Sequence, residues 1–357
     1  MRTYVLMVIF NIVCMQQLKA AVVVKRPLPP KQELREHLLM VTSLPKVLCD
    51  MIITYMHVYV VEFDLTYRSS VLAASFSPDG TWIGTAGYGG AIYLWNAITQ
   101  KEKLFIDHID PVSALSFSPD TRLLATVGYS RDYAARIWCT GSRNRLAMLE
   151  GHRGILNAVS FNADGDHLVT ASDDKTMRVW DVATGTSLST LKQHAQPVCS
   201  AAFDISGNQV ISASNDKTAL MWDIRSDRVV RYFFGHQDDV NSASFSSDGQ
   251  AIVTASNDTT VRIWNRDARL KGVLPIGKKV KSARFNADGQ YIVTAGEGKV
   301  AYIWDANTRE NIQQLDTDSK PVYAASFGPP VSEKIVTASN NRVLIWSVFK
   351  NEYKISY

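Results

Sequence analysis

Seven tryptophans at almost constant spacing constrain the fold of this chain more than any other feature. Trp95, Trp138, Trp180, Trp222, Trp264, Trp304 and Trp346 stand 43, 42, 42, 42, 40 and 42 residues apart. A period of about 42 residues is the length of one four-stranded blade of a β-propeller, in which small sheets are repeated radially about an axis. Seven such units occupy about 293 of the 357 residues and leave about 64 ahead of them. The expected architecture is all-β: a seven-bladed β-propeller over residues 58–357, preceded by a short, partly helical N-terminal extension.

The register persists inside each unit. Phe76, Phe117, Phe161, Phe203, Phe245, Phe285 and Phe327 keep step with the tryptophans, and five residues before each lies Val71, Val112, Leu156, Val198, Val240, Val280 or Val322. Two residues after these aliphatic positions stand only alanine and serine: Ala73, Ala114, Ala158, Ser200, Ser242, Ser282 and Ala324. Small side chains suit the innermost strand of a radial array, where the blades crowd the axis. Phe76-Ser77-Pro78-Asp79-Gly80 reads as a turn, echoed at Asp164-Gly165, Asp248-Gly249 and Asp288-Gly289. Asp bonds its own backbone in such turns and Gly accepts a positive φ, so each joins two β-rich runs.

Composition narrows the class further. Hydrophobic residues make up 46% and charged residues 20%, the balance of a globular chain rather than a disordered or multi-span membrane one. A net charge of +4 is too slight to argue for nucleic acid, and no basic stripe is interleaved with aromatics. Cys14, Cys49, Cys139 and Cys199 lie far apart with no C-x-x-C pair, so neither a disulfide scaffold nor a zinc site is expected, and no cofactor.

Gly151-His152, Phe161, Thr170-Ala171-Ser172-Asp173-Asp174 and Trp180-Asp181 together resemble a WD repeat. Gly235-His236 through Asp258 to Trp264-Asn265 resembles another, and the likeness extends over about residues 58 to 357. The resemblance implies a propeller that serves as a platform for binding other macromolecules. It also implies a buried hydrogen-bond chain of His, Ser or Thr, Asp and Trp within a blade. Carried onto this sequence, the sets are His152, Thr170, Asp174 and Trp180; His194, Ser212, Asp216 and Trp222; and His236, Thr254, Asp258 and Trp264. A fourth, His108, Thr126, Asp132 and Trp138, fits with two extra residues looped out of its turn. Blades one, six and seven depart, with Tyr67, Ile276 and Asp318 at the His position and Gly89, Gly298 and Asn340 at the Asp position. A buried Asp is tolerated only beside a donor, so these histidines read as structural rather than catalytic or metal-binding.

A ring of sheets must remove its free edges, and two segments claim the last one. Val60 to Asp64 has the register of an outer strand ahead of blade one, and Tyr353 to Tyr357 has the register of an outer strand after Trp346. Family habit favours the N-terminal strand. Further upstream, Tyr4 to Met15 is apolar except for Asn11 and precedes Leu18-Lys19-Ala20, the order of a secretory signal peptide over residues 1–20. That reading makes the protein exported, with a cytoplasmic chain as the alternative. A run of 12 apolar residues is short for a permanent membrane span. Residues 21–57 read as a Pro-rich linker and a short amphipathic helix, whose segment at 44–56 resembles the opening of an F-box motif.

The residues expected to meet a partner lie in the loops at one end of the propeller. They are Tyr88, Arg131, Asp173, Asn215, Asn257 and Glu297 before the Asp positions, with Asp239, Lys279, Lys281 and Tyr323 beside the strand-opening valines. They vary between blades while the framework does not, and Tyr and Arg make the strongest anchors. Lys278, Lys279, Lys281 and Arg284 concentrate positive charge at the entry to blade six, where Asp238 and Asp239 mark the same place in blade five. The expected function is a non-catalytic protein-protein interaction scaffold. The alternatives are an F-box-like substrate receptor or exported effector, and a propeller enzyme, although no G-x-S-x-G, H-E-x-x-H or phosphate-binding loop is present.

Overall fold

The computed structural model describes residues 59–99, 101–107, 110–129, 131, 133–319, 321–329 and 334–348. The signal-like, linker and F-box-like segments, together with His108, Asp132 and Tyr353 to Tyr357, lie outside the described residues. One compact unit spans Phe63–Trp346. Of the other, residues 1–62 with 347–357, the described part is strand at 59–62 and 347–348.

Among the described residues, 28 strands form seven four-stranded antiparallel sheets, one per tryptophan period. Blade three shows the pattern: Leu156–Phe161, His167–Ser172, Thr176–Asp181 and Ser187–Lys192 lie side by side in chain order. The first strands of the blades touch their counterparts in both neighbouring blades, from Val71–Phe76 round to Val322–Phe327 and back, and so line a central channel. The tryptophans stand on the third strands.

The blades stack face to face, and that explains the sequence of the second strands. A sheet covered on both faces has no polar side, so its strands read as continuous apolar runs rather than alternating ones. Leu168-Val169-Thr170-Ala171, Val210-Ile211-Ser212-Ala213 and Ile252-Val253-Thr254-Ala255 are buried throughout. From blade seven round to blade six, each interface is one shared core. Val169, Ala171, Met177, Val179 and Leu191 of blade three pack with Val198, Ala201, Val210, Leu220 and Trp222 of blade four. The hydroxyl in the middle of each of these runs, Thr170, Ser212 or Thr254, must therefore find its partner inside the blade.

The seventh blade closes the ring. Its strand order is Tyr59–Thr66, Arg342–Val348, Lys334–Ser339, Val322–Phe327, so the outer edge comes from the start of the described chain. Arg342 clamps this edge: its Nη2 lies 2.6 Å from Asp64 Oδ2 and its Nε donates to Asp64 Oδ1 at 3.3 Å. Leu65, Val71, Phe76, Val336, Val343 and Ile345 then fuse the closing blade to blade one in a common core.

Candidate functional site

The turns at one end of the channel are fixed from below by the hydrogen-bond chains. In blade three, Trp180 Nε1 donates to Thr170 Oγ1 at 2.9 Å. Thr170 Oγ1 lies 2.8 Å from His152 Nε2, and His152 Nδ1 lies 2.8 Å from Asp174 Oδ2. One proton arrangement uses every donor and acceptor once: Thr170 donates to a neutral His152, whose Nδ1–H donates to the Asp174 carboxylate. Asp174 also accepts from Arg153 N and from Thr176 N and Oγ1. Blades four and five repeat the chain through His194, Ser212, Asp216 and Trp222 and through His236, Thr254, Asp258 and Trp264, with every bond between 2.7 and 2.9 Å.

Electrostatics follow from this satisfaction. Burial by itself pushes these carboxyls up, but the hydrogen bonds they accept outweigh it. The His194 and Thr218 side chains hold Asp216 at about 2, Thr260 and His236 hold Asp258 at about 2, and Asp174 is held lower still. Burial pushes His236 below the ordinary imidazole range despite the opposing Asp258, consistent with a neutral ring.

The other blades keep part of the chain. In blade two Trp138 Nε1 donates to Thr126 Oγ1 at 2.9 Å. Tyr67 takes the histidine's place in blade one, its hydroxyl 2.6 Å from Thr85 Oγ1, and Trp95 Nε1 is buried without a partner among the described residues. In blades six and seven the tryptophan still meets its hydroxyl, at 3.1 and 2.9 Å. Ile276 and Gly298 leave a cavity of about 10 Å³ in blade six, room for about one water.

Above these chains, a bulge in the ladder of every blade aims one side chain at the channel mouth. The pairing of first and second strands slips by a residue just after the opening aliphatic position, as between Leu156 and Ala158. The residue left out of the ladder is Leu72, Ser113, Asn157, Cys199, Asn241, Lys281 or Tyr323, and bulges re-aim side chains in this way. Several are committed to structure. Ser113, Asn157 and Asn241 donate to the carbonyls of Leu156, Val198 and Val280 in the next blade, at 2.8, 3.0 and 2.7 Å. Asn157 also donates to Asp173, and Asn241 and Lys281 both donate to Asn257 Oδ1, while Asn257 donates to Asp239. Cys199 donates to Asn215, and burial, with Asp239 and Asp173 nearby, pushes its thiol up to about 12.

Most of the expected partner-facing residues therefore gather at one mouth, but blades three to six tie many of theirs into bonds between blades. Glu297 and Lys279 remain exposed beside the network without side-chain bonds among the described residues. Blade two requires a correction. Gly128 pairs Val112 as Ser172 pairs Leu156, so the register gives Tyr129, not Arg131, the position in blade two that Asp173 holds in blade three. Arg131 is exposed two residues further along the turn. In blade seven Ser339 pairs Val322 and closes its strand, and Asn340, with φ of 37°, takes the mouth position. The two extra turn residues hid Tyr129, although its place one residue after Gly128, the last residue of its strand, was the available signal.

Tyr129 changes the character of the mouth. Its ring stacks on Tyr88 with centroids 6.0 Å apart and planes 16° from parallel, and the two remain 41% and 51% exposed. Burial, then Tyr88, Asp173 and Tyr323, push the Tyr129 hydroxyl's pKa up, so all four share one neighbourhood. One side of the mouth is thus aromatic and open while the other is polar and bonded. Among the described residues no group of three or more His, Cys, Asp and Glu is placed to hold a metal, and no helix is long and apolar enough to cross a membrane.

A family model described as WD domain, G-beta repeat matches residues 62–96, 100–139, 143–181, 185–223, 227–265 and 272–305, more than half of the chain. No curated protein matches the chain. Each matched segment is out of phase with the sheets: residues 143–181 contain the outer strand of blade two and the three inner strands of blade three. The seventh sheet adds a blade beyond the six matches.

Proposed function

The chain belongs to the WD-repeat family, and from that premise we propose that it is a non-catalytic interaction scaffold whose docking site is the aromatic side of the channel mouth. WD-repeat propellers generally bind proteins. The observation that carries the finer reading is the stacked, exposed pair Tyr88 and Tyr129 beside Tyr323 and Asp173. Tyrosine presents a large, rigid surface at low entropic cost, which is why it recurs among residues that dominate binding energy.

The chemistry of the site favours a partner segment that offers a lysine or arginine. The tyrosine faces attract a cation by about 0.5–2 kcal/mol, depending on how far it is desolvated. Asp173 adds a carboxylate whose Oδ1 is held by Asn157 at 2.7 Å, while Oδ2 has no partner among the described residues. The carboxylate is thus positioned before any ligand arrives.

The test compares the proteins recovered on the wild-type chain with those on a Tyr88→Ser, Tyr129→Ser variant from the same cells. Circular dichroism and thermal unfolding establish that the variant is folded. Loss of a defined set of partners, restored when Phe replaces each Tyr, supports the reading. Recovery of the same partners by the folded double variant refutes it.

A further inference from the structure

Six of the seven first strands carry a small residue just before the phenylalanine: Ser75, Ser116, Ser160, Ala202, Ser244 and Ser326. The seventh carries Arg284. The ladders put these residues in one register, since Arg284 pairs Val293 as Ser244 pairs Val253 and Ser160 pairs Val169. The position faces the next blade along the channel wall. Ser116 Oγ accepts from Phe161 N and Ser244 Oγ donates to Ala283 O, both 3.4 Å away and both on a neighbouring first strand.

A guanidinium in that position is out of place unless something meets it. Arg284 is partly buried and makes no side-chain hydrogen bond or ion pair among the described residues. Burial alone depresses its pKa, with no carboxylate near enough to offset the loss of hydration. Arginine does not shed its proton, so it remains a partly desolvated charge, and such charges are ordinarily paired. Lys281, three residues away, is occupied by Asn257. A cavity of about 330 Å³ begins at Phe285, the residue after Arg284, which is not itself part of the lining; Phe76, Phe245, Phe285, Phe327, Ser247 and Asn286 are among the lining residues, and none of them is acidic.

We propose that the channel of this propeller holds an oxyanion, phosphate or carboxylate, anchored by Arg284. The guanidinium fork matches either group with two parallel hydrogen bonds. The site is separate from the tyrosine mouth, so neither depends on the other.

The experiment follows thermal unfolding and calorimetric binding of the full chain with sodium phosphate, and separately with an acetylated aspartyl tripeptide amide, against sodium chloride at matched ionic strength. The variant is Arg284→Ser, the residue found in five of the other blades. Saturable stabilisation of the wild type by either anion is expected. Binding is expected to weaken by roughly tenfold or more in Arg284→Ser, the factor a lost charge-assisted hydrogen bond carries. Without the anion the variant should be at least as stable as the wild type, because an unpaired, partly buried charge is gone. Tighter binding of phosphate identifies a free anion as the occupant, and tighter binding of the peptide identifies a partner's acidic side chain. The proposal is overturned if neither anion acts beyond chloride, if Arg284→Ser responds as the wild type does, or if it is destabilised or unfolded without the anion.

Discussion

Thr170→Val and Thr337→Val make a matched test of the hydrogen-bond chains. Both residues are fully buried in second strands, and Val preserves shape and β-branching, so packing and strand propensity are nearly constant. In blade three the change strands two groups, the indole N–H of Trp180 and Nε2 of His152. In blade seven it strands one, the indole N–H of Trp346. At about 1–3 kcal/mol for each buried group left unpaired, Thr170→Val should lose roughly 2–6 kcal/mol and Thr337→Val roughly half of that. Urea unfolding followed by tryptophan fluorescence measures the loss. Hydrogen exchange of the Thr176 amide, which donates to Asp174, shows whether the damage is local to the turn. Equal losses in the two variants, or less than about 0.5 kcal/mol for Thr170→Val, would refute the idea that the hydroxyl is the hub.

Acid should unfold the propeller through these same groups. The folded pKa values of Asp216 and Asp258, about 2, lie below their unfolded values, so the stability they contribute is present above about pH 4 and lost as pH falls toward 2. His236, depressed by burial, loses its contribution as pH falls below about 6.5, in the same direction, and a flat urea midpoint from pH 7 to 3 would contradict both. Gly128→Ala should lose about 1–3 kcal/mol or more, because its Cβ would lie 2.0 Å from the carbonyl oxygen of Pro111 and backbone must move; an unchanged urea midpoint would be inconsistent with that contact. Thr259, a β-branched residue at φ of 70°, should give a gain of up to about 1 kcal/mol when replaced by Gly, since about 1–2 kcal/mol of left-handed strain exceeds the added chain entropy. Thermal unfolding checks the sign.

What the sequence determined alone is the content of a blade. The tryptophan period, the buried hydroxyl of Thr170, Ser212 or Thr254, and the Asp of the following turn are all local to one unit, within about 30 residues of one another. Their chemistry is complete there, because one antiparallel ladder brings each donor to its acceptor. A pattern repeated in register is therefore legible without the fold.

What needed the tertiary structure lies between blades. Residues 59–66 and Tyr353 to Tyr357 had equal claims by register, and the pairing with Arg342–Val348 assigns the edge to the former among the described residues. Tyr129 comes to Tyr88 only because neighbouring first strands meet at the axis and the ladder carries the turn's extra residues past it. Tyr67 stands at the histidine position by register, but its bond to Thr85 is one that the histidine pattern does not specify. Arg284 belonged by sequence to a basic cluster with Lys278, Lys279 and Lys281, yet strand pairing sets it alone against the channel wall. The physical reason is common to all four. A repeat specifies the hydrogen bonds within its own sheet, whereas the surroundings of a bulged or axial side chain are supplied by the neighbouring blades, which the sequence places far away.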